Sequence, residues 1–202
     1  MTGGSVEKYD CEYPRYAEMS NSTIELYTRY PLRNILTYNG ITIIHYILGG
    51  IGIIIGYGSW IGYLFGIGYV VLAFSEMYIH MPLKVCPNCV YVRLENSLCI
   101  SGLNIVSKKL TPLGNTEDFS NRAIGALCPN NLYIASLVIP IIAMVPALII
   151  NFSVFLLIIF LIVIGLLLFR FFVIFPRVAC IHCRAKNICP QAQSMFREKS
   201  RS

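Results

Sequence analysis

The chain has 202 residues, 56% of them apolar and 13% charged, with a net charge of +6 and a mean hydropathy of +0.65. An ordinary soluble domain is about 25% charged, and a domain of this size still needs a polar surface. The composition therefore sets a soluble enzyme or a nucleic-acid-binding module well behind, despite the positive charge, and indicates an integral membrane protein, which the long apolar runs below make all-α.

In chain order, residues 1–36 form a polar N-terminal segment with four basic and five acidic side chains, several tyrosines and a solitary Cys11. It lacks the basic-then-apolar form of a signal peptide. Residues 37–81 come next, in which Ile41 to Met81 contain no titratable side chain besides tyrosines except His45, Glu76 and His80. A spanning helix takes roughly 20 apolar residues, so this stretch predicts a hairpin of two spans, about 37–56 and 60–81. Its turn is Gly56-Tyr57-Gly58-Ser59-Trp60. The pairs Gly52/Gly56, Gly58/Gly62 and Gly62/Gly66 have the spacing that lets helix backbones approach closely, within the chain, in a homodimer or against another membrane subunit. Tyr57, Trp60, Tyr63, Phe65 and Tyr69 read as an aromatic interface band.

Residues 82–131 form a loop carrying Cys86, Cys89, Cys99 and Cys128, with one short helix expected around Thr116–Leu127. A second hairpin, 132–175, predicts spans at 132–150 and 154–175, and its only charge is Arg170. The tail, 176–202, carries Cys180, His182, Cys183 and Cys189, then a basic end suited to anionic lipid.

The sixteen Lys and Arg fall four in the first 40 residues, five in 82–131 and seven in 170–202, with none in the two short turns. The positive-inside rule places both termini and the central loop in the cytoplasm of a multi-pass cell-membrane protein. The cysteines then occupy a reducing compartment, which favours metal or redox chemistry over structural disulfides.

The exits of the second and fourth spans share a pattern. His80-Met81-Pro82-Leu83-Lys84-Val85-Cys86-Pro87-Asn88-Cys89 and Ile174-Phe175-Pro176-Arg177-Val178-Ala179-Cys180-Ile181-His182-Cys183 both read Pro-x3-Cys-x2-Cys. The four spans thus predict two parallel, pseudo-repeated hairpins, each ending in a cysteine knuckle. Two thiolates on one tight turn can face a single ion, and two such turns complete a tetrahedron. Cys86, Cys89, Cys180 and Cys183 are therefore the expected metal ligands. Lys84, Arg177 and Arg184 stand nearby to offset thiolate charge. Cys-Pro-Asn-Cys resembles zinc and rubredoxin-type knuckles over four residues, and a four-sulfur site suits zinc or an iron–sulfur cluster alike. Cys99, Cys128 and Cys189 could add a three-thiolate site completed by His182, or be inert buried thiols.

Glu76 and Arg170 lie at equivalent depths, six residues before their prolines. A charge inside the membrane usually faces a partner, so a Glu76–Arg170 ion pair is expected, with snorkelling of Arg170 to the surface as the alternative. His45, Glu76 and His80 could converge on a quinone, a haem or a metal. Three functions are consistent with these features: a redox subunit with a thiolate-bound metal centre, which the surplus of thiols favours; a zinc-stapled scaffold or assembly subunit; and a soft-metal transporter, disfavoured by the scarcity of sulfur ligands in the spans.

Overall fold

The computed structural model describes residues 25–116, 129–186, 189 and 192. Cys11, Cys128, nearly all of the helix expected around Thr116–Leu127 and the basic end lie outside the described residues. Among the described residues the chain is helical without strands, and four helices are long and apolar enough to cross a membrane.

Helix α1 runs Leu32–Tyr57, five residues earlier than hydropathy alone predicts, and begins directly after Pro31. It stops at Gly58, whose φ of 53° gives the left-handed cap that favours glycine. Ser59 then caps α2 (Trp60–Ser75), accepting a hydrogen bond from the Gly62 N–H at 3.4 Å. After the short helices α3 (Val90–Arg93) and α4 (Leu103–Leu110) come α5 (Pro129–Ile150) and α6 (Val154–Phe169).

The second and fourth spans share one plan. Each starts after a serine (Ser59, Ser153), runs 16 residues of α-helix and continues as 10 residues of π-helix, Glu76–Val85 and Arg170–Ala179. Each then reaches the first cysteine of its pair, Cys86 or Cys180. The cause of the π winding is Pro82 and Pro176. Proline lacks an N–H, and its ring collides with the carbonyl four residues back. The chain accommodates it by widening its register, so that the Cys86 N–H bonds to the Met81 carbonyl and the Cys180 N–H to Phe175, each five residues back.

Helix α1 packs against α2, α5 and α6, and α5 also receives the first π segment. Tyr46, Leu137, Met144, Ala147, Leu156 and Val163 are sealed in this core, whereas Trp60, Leu72, Ile149 and Phe172 are exposed, which is compatible with a multi-pass membrane protein. Inside the bundle, Pro140 frees the carbonyl of Ser136, and the Tyr69 hydroxyl donates to it at 3.0 Å. Tyr57 donates to the Ala143 carbonyl at 3.0 Å. Two members of the expected aromatic band thus serve the interior. Irregular backbone at such depth needs internal partners, which tyrosines on the neighbouring hairpin supply.

The glycines are used within the chain. A Cβ on Gly66 would stand 2.8 Å from the Gly50 carbonyl oxygen, backbone that cannot swing aside. Gly68, two residues on, has nothing within 4 Å. Gly66→Ala should lower the thermal midpoint in detergent, by an overpacking cost of about 1–3 kcal/mol. Gly68→Ala should leave it unchanged or raise it slightly. Equal behaviour of the two would contradict this packing.

Candidate metal centre and the buried polar groups

The π segments deliver both cysteine pairs to the same end of the bundle. Each pair closes a turn in which the second cysteine's N–H donates to the first one's carbonyl, at 2.9 Å from Cys89 to Cys86 and 3.2 Å from Cys183 to Cys180. The segment 25–31 straps the two turns together. The Tyr27 N–H bonds to the His182 carbonyl at 3.0 Å, Tyr30 N–H to Leu98 at 2.9 Å, and Leu98 N–H returns to Thr28 at 3.1 Å. The Tyr91 hydroxyl donates to the Tyr27 carbonyl at 2.7 Å, and the buried Tyr30 hydroxyl donates to the Ala179 carbonyl. Tyr30, Ile35 and Tyr91 form a small apolar cluster of their own, with Cys89, Cys99 and Cys183 packed against it.

Cys99 is fixed by its loop: its N–H donates to Asn104 Oδ1 at 3.1 Å, while Asn104, itself 1% exposed, donates to the Ser97 carbonyl at 3.0 Å. Cys189 is placed by a bond from its N–H to the Ala185 carbonyl at 2.8 Å. Cys86 and Cys180 pack against the main core of the bundle, and Cys89, Cys99 and Cys183 against the Tyr30, Ile35 and Tyr91 cluster. Cys86, Cys89 and Cys99 lie within electrostatic range of one another, and so do Cys180, Cys183 and Cys189. Across the two sets, Cys89, Cys99, Cys183 and Cys189 are close enough to influence one another electrostatically. Burial, reinforced by the neighbouring thiols, pushes Cys89 and Cys180 up to about 12 and Cys183 up to about 11. These thiols stay protonated at neutral pH unless a cation supplies compensating charge.

Among the described residues, no three His, Cys, Asp or Glu side chains are packed tightly enough to hold one metal ion. The expected Cys86, Cys89, Cys180 and Cys183 tetrathiolate is therefore not assembled among the described residues. His182, the expected fourth ligand of a second site, instead has Nδ1 2.8 Å from the Glu25 carbonyl and its ring stacked on Tyr27 at 4.5 Å.

Within the spans the expected groupings are redrawn. Glu76 does not pair with Arg170; its carboxylate meets Nδ1 of His80 at 2.8 Å, one helical turn on. Glu76 lines an apolar cavity of about 720 Å³ between α2 and α5, bounded also by Leu64, Gly68, Leu72, Ala135 and Ile139. Arg170 points the other way, into the interior. It is 2% exposed, which excludes snorkelling, and donates to the hydroxyls of Thr42 and Tyr133. Its guanidinium lies 4.5 Å from the centre of the Tyr38 ring and 5.3 Å from those of Tyr133 and Phe175. Equivalent depth on two spans suggests the pair; different facing prevents it. His45 does not join Glu76 and His80 either. Its Nε2 lies 2.9 Å from the Leu137 carbonyl, which makes it a satisfied core histidine.

Comparison with protein-family models, curated proteins and solved structures finds no match. Sequence reasoning missed the tyrosine strap; the three-thiolate site it expected from Cys99, Cys128 and Cys189 includes Cys128, which lies outside the described residues.

The Arg170 cluster separates two kinds of cost. Removing a hydroxyl from beneath a buried guanidinium leaves a charge short of an acceptor, so Tyr133→Phe should destabilise the fold by about 1–3 kcal/mol. Arg170→Met removes the charge, while Thr42 retains its bond to the Tyr38 carbonyl at 2.8 Å and Tyr133 its contact with the Tyr38 hydroxyl at 3.2 Å. Replacing a buried ion by an apolar side chain is often neutral or stabilising, so Arg170→Met should melt at or above the parent temperature.

Proposed function

We propose that this chain is an integral membrane metalloprotein whose cytoplasmic thiolate centre locks the two hairpins and the N-terminal strap into one body. The observation that carries the reading is that both hairpin exits bring a cysteine turn to one end of the bundle, where Cys89, Cys99 and Cys183 pack against the Tyr30, Ile35 and Tyr91 cluster. Four thiolates around a divalent ion contribute folding energy outright. The small soluble module at this end has one modest apolar cluster, Tyr30, Ile35 and Tyr91, to draw on. A metal staple is the simplest use of such an arrangement. The distribution of basic residues supports the cytoplasmic placement, and that compartment keeps thiols available for metal.

A redox subunit is the second reading. It is favoured by the cavity of about 720 Å³ between α2 and α5 with Glu76 in its wall, a volume within the roughly 300–1,000 Å³ of small-molecule sites. A lipid-soluble carrier such as a quinone would suit its apolar lining. His45 and His80 do not share that wall, so haem ligation has no support from it.

Metal analysis of the purified protein separates the two. The staple predicts a colourless protein containing zinc, and stripping the metal should lower the thermal midpoint while the helix content of the spans persists. A brown protein with iron and visible absorbance would establish the redox reading instead. Thiol labelling in sealed, oriented vesicles checks the placement: reagent on the cytoplasmic face alone should reach the cysteines.

A further inference from the structure

A cleft of about 310 Å³ opens beside the strap, lined by Arg29, Lys108 and Lys109 together with Asn96, Ser97 and Ile105. Separate stretches of chain bring its three cations together. Arg29 comes from the strap, whose backbone is tied to Leu98 by the bonds of Tyr30 and Thr28 at 2.9 and 3.1 Å. Lys108 and Lys109 lie in the last turn of α4, and the buried Asn104 of that helix donates to the Ser97 carbonyl at 3.0 Å and to its hydroxyl at 3.1 Å. Lys108 Nζ donates to the Leu94 carbonyl at 2.5 Å and to the Ser97 hydroxyl at 3.2 Å. These neutral acceptors fix the ammonium without cancelling its charge, and leave one of its three N–H groups to spare. Among the described residues no carboxylate lines the cleft. The rim is apolar. Helix α4 packs against the π segment Glu76–Val85 and the first cysteine turn, with Leu103, Asn104 and Ser107 buried. On its open side Ile105 is 45% exposed and Leu110 65%, with Val106 and Leu113 exposed as well. Basic and aliphatic side chains side by side, at the exit of a span, suit the boundary between lipid headgroups and acyl chains.

We infer that this cleft binds the phosphate of an anionic phospholipid, whose acyl chains lie over Ile105, Val106 and Leu110. The planar guanidinium of Arg29 is suited to two phosphate oxygens at once, and Lys108 and Lys109 add point charges beside it. The apolar rim is what commits the cleft to a lipid: a soluble phosphate compound meets the same cations but buries none of those side chains. The two lysines also complement the dipole at the end of α4, but that role does not call for Arg29, which arrives from a different part of the chain. Because Arg29 and the lysines stand on separate segments, a bound headgroup joins the strap to α4. The site involves no cysteine, so it goes beyond the metalloprotein reading and does not depend on it.

The test titrates the full-length protein in neutral detergent with phosphatidylglycerol, or with phosphatidylcholine of the same chain length, and counts bound lipid by native mass spectrometry. Phosphatidylglycerol should bind about tenfold more tightly or better. Arg29→Gln and Lys109→Gln should each weaken it about fivefold, the loss expected for one basic residue beside an anionic headgroup. Arg33→Gln, which removes an exposed charge outside the cleft, should leave it unchanged. Glycerol phosphate, a headgroup without chains, should fail to displace the lipid at equal concentration. Circular dichroism checks that each variant keeps the parental helix content. Equal binding of the two lipids would overturn the proposal. So would an equal loss in Arg33→Gln, which would make the preference a diffuse effect of surface charge. Displacement by glycerol phosphate would reassign the cleft to a soluble phosphate compound and overturn the lipid site as well. The metal content of the protein is measured separately, so any of these failures leaves the metalloprotein reading standing.

Discussion

Two missing amide hydrogens organise this molecule. Pro82 and Pro176 cannot donate to the turn behind them, and each forces ten residues of its span into π register before the first cysteine. A π turn is wider than an α turn, so the helix end is rotated and shortened relative to an uninterrupted α-helix. Both exits carry the same correction at the same distance, and both cysteine turns leave the bundle in the same fashion. The tyrosine strap, the thiol cluster and the small apolar core around Tyr30 and Tyr91 all take their positions from these exits. A proline at a helix end ordinarily just ends the helix. Here it aims the cysteine turn beyond it.

The bundle itself rests on small residues and hydroxyls more than on bulk. Among lipid chains, burying one more leucine gains little, and helices associate through close backbone contact and internal hydrogen bonds. Gly50 against Gly66 supplies the first, and Tyr57, Tyr69 and Tyr46 supply the second by donating to backbone or to Ser136 across the hairpin interface. The same device handles Arg170. Its charge is surrounded by two hydroxyls and three aromatic faces, whose negative π surfaces stand in for a carboxylate.

How much of this is legible in the sequence depends on the range of each force. Long apolar runs and the Gly-Ser turns predict four spans, because bilayer thickness fixes helix length locally, and the helices start within a few residues of expectation at Trp60 and Val154. The Pro-x3-Cys-x2-Cys repeat is equally visible, being contiguous. Side-chain facing is not. Glu76 and Arg170 share a depth but point to opposite sides, since rotation about a helix axis is set by packing that no one-dimensional pattern encodes. Tyr69 resembles an interface anchor until Pro140, about seventy residues later, leaves the Ser136 carbonyl needing a donor, and Tyr57 likewise turns inward to the Ala143 carbonyl. The strap was unreadable for the same reason: Tyr27 and Tyr30 carry no periodicity, and their partners are nearly the whole chain away.

That separation constrains the order in which the protein can be made. The bonds from Glu25 to His182 and from Tyr30 to Ala179 join residues 157 and 149 positions apart, and a chain emerging from the ribosome reaches Tyr27 long before Cys183. Each hairpin can enter the membrane as it is synthesised. The strap's bonds to Leu98 and Tyr91 can form once the first exit is made, but those to Ala179 and His182 must wait for the last helix. Closure of this end is therefore a late event: a chain that has reached only the first exit holds Tyr27 and Tyr30 without their partners His182 and Ala179.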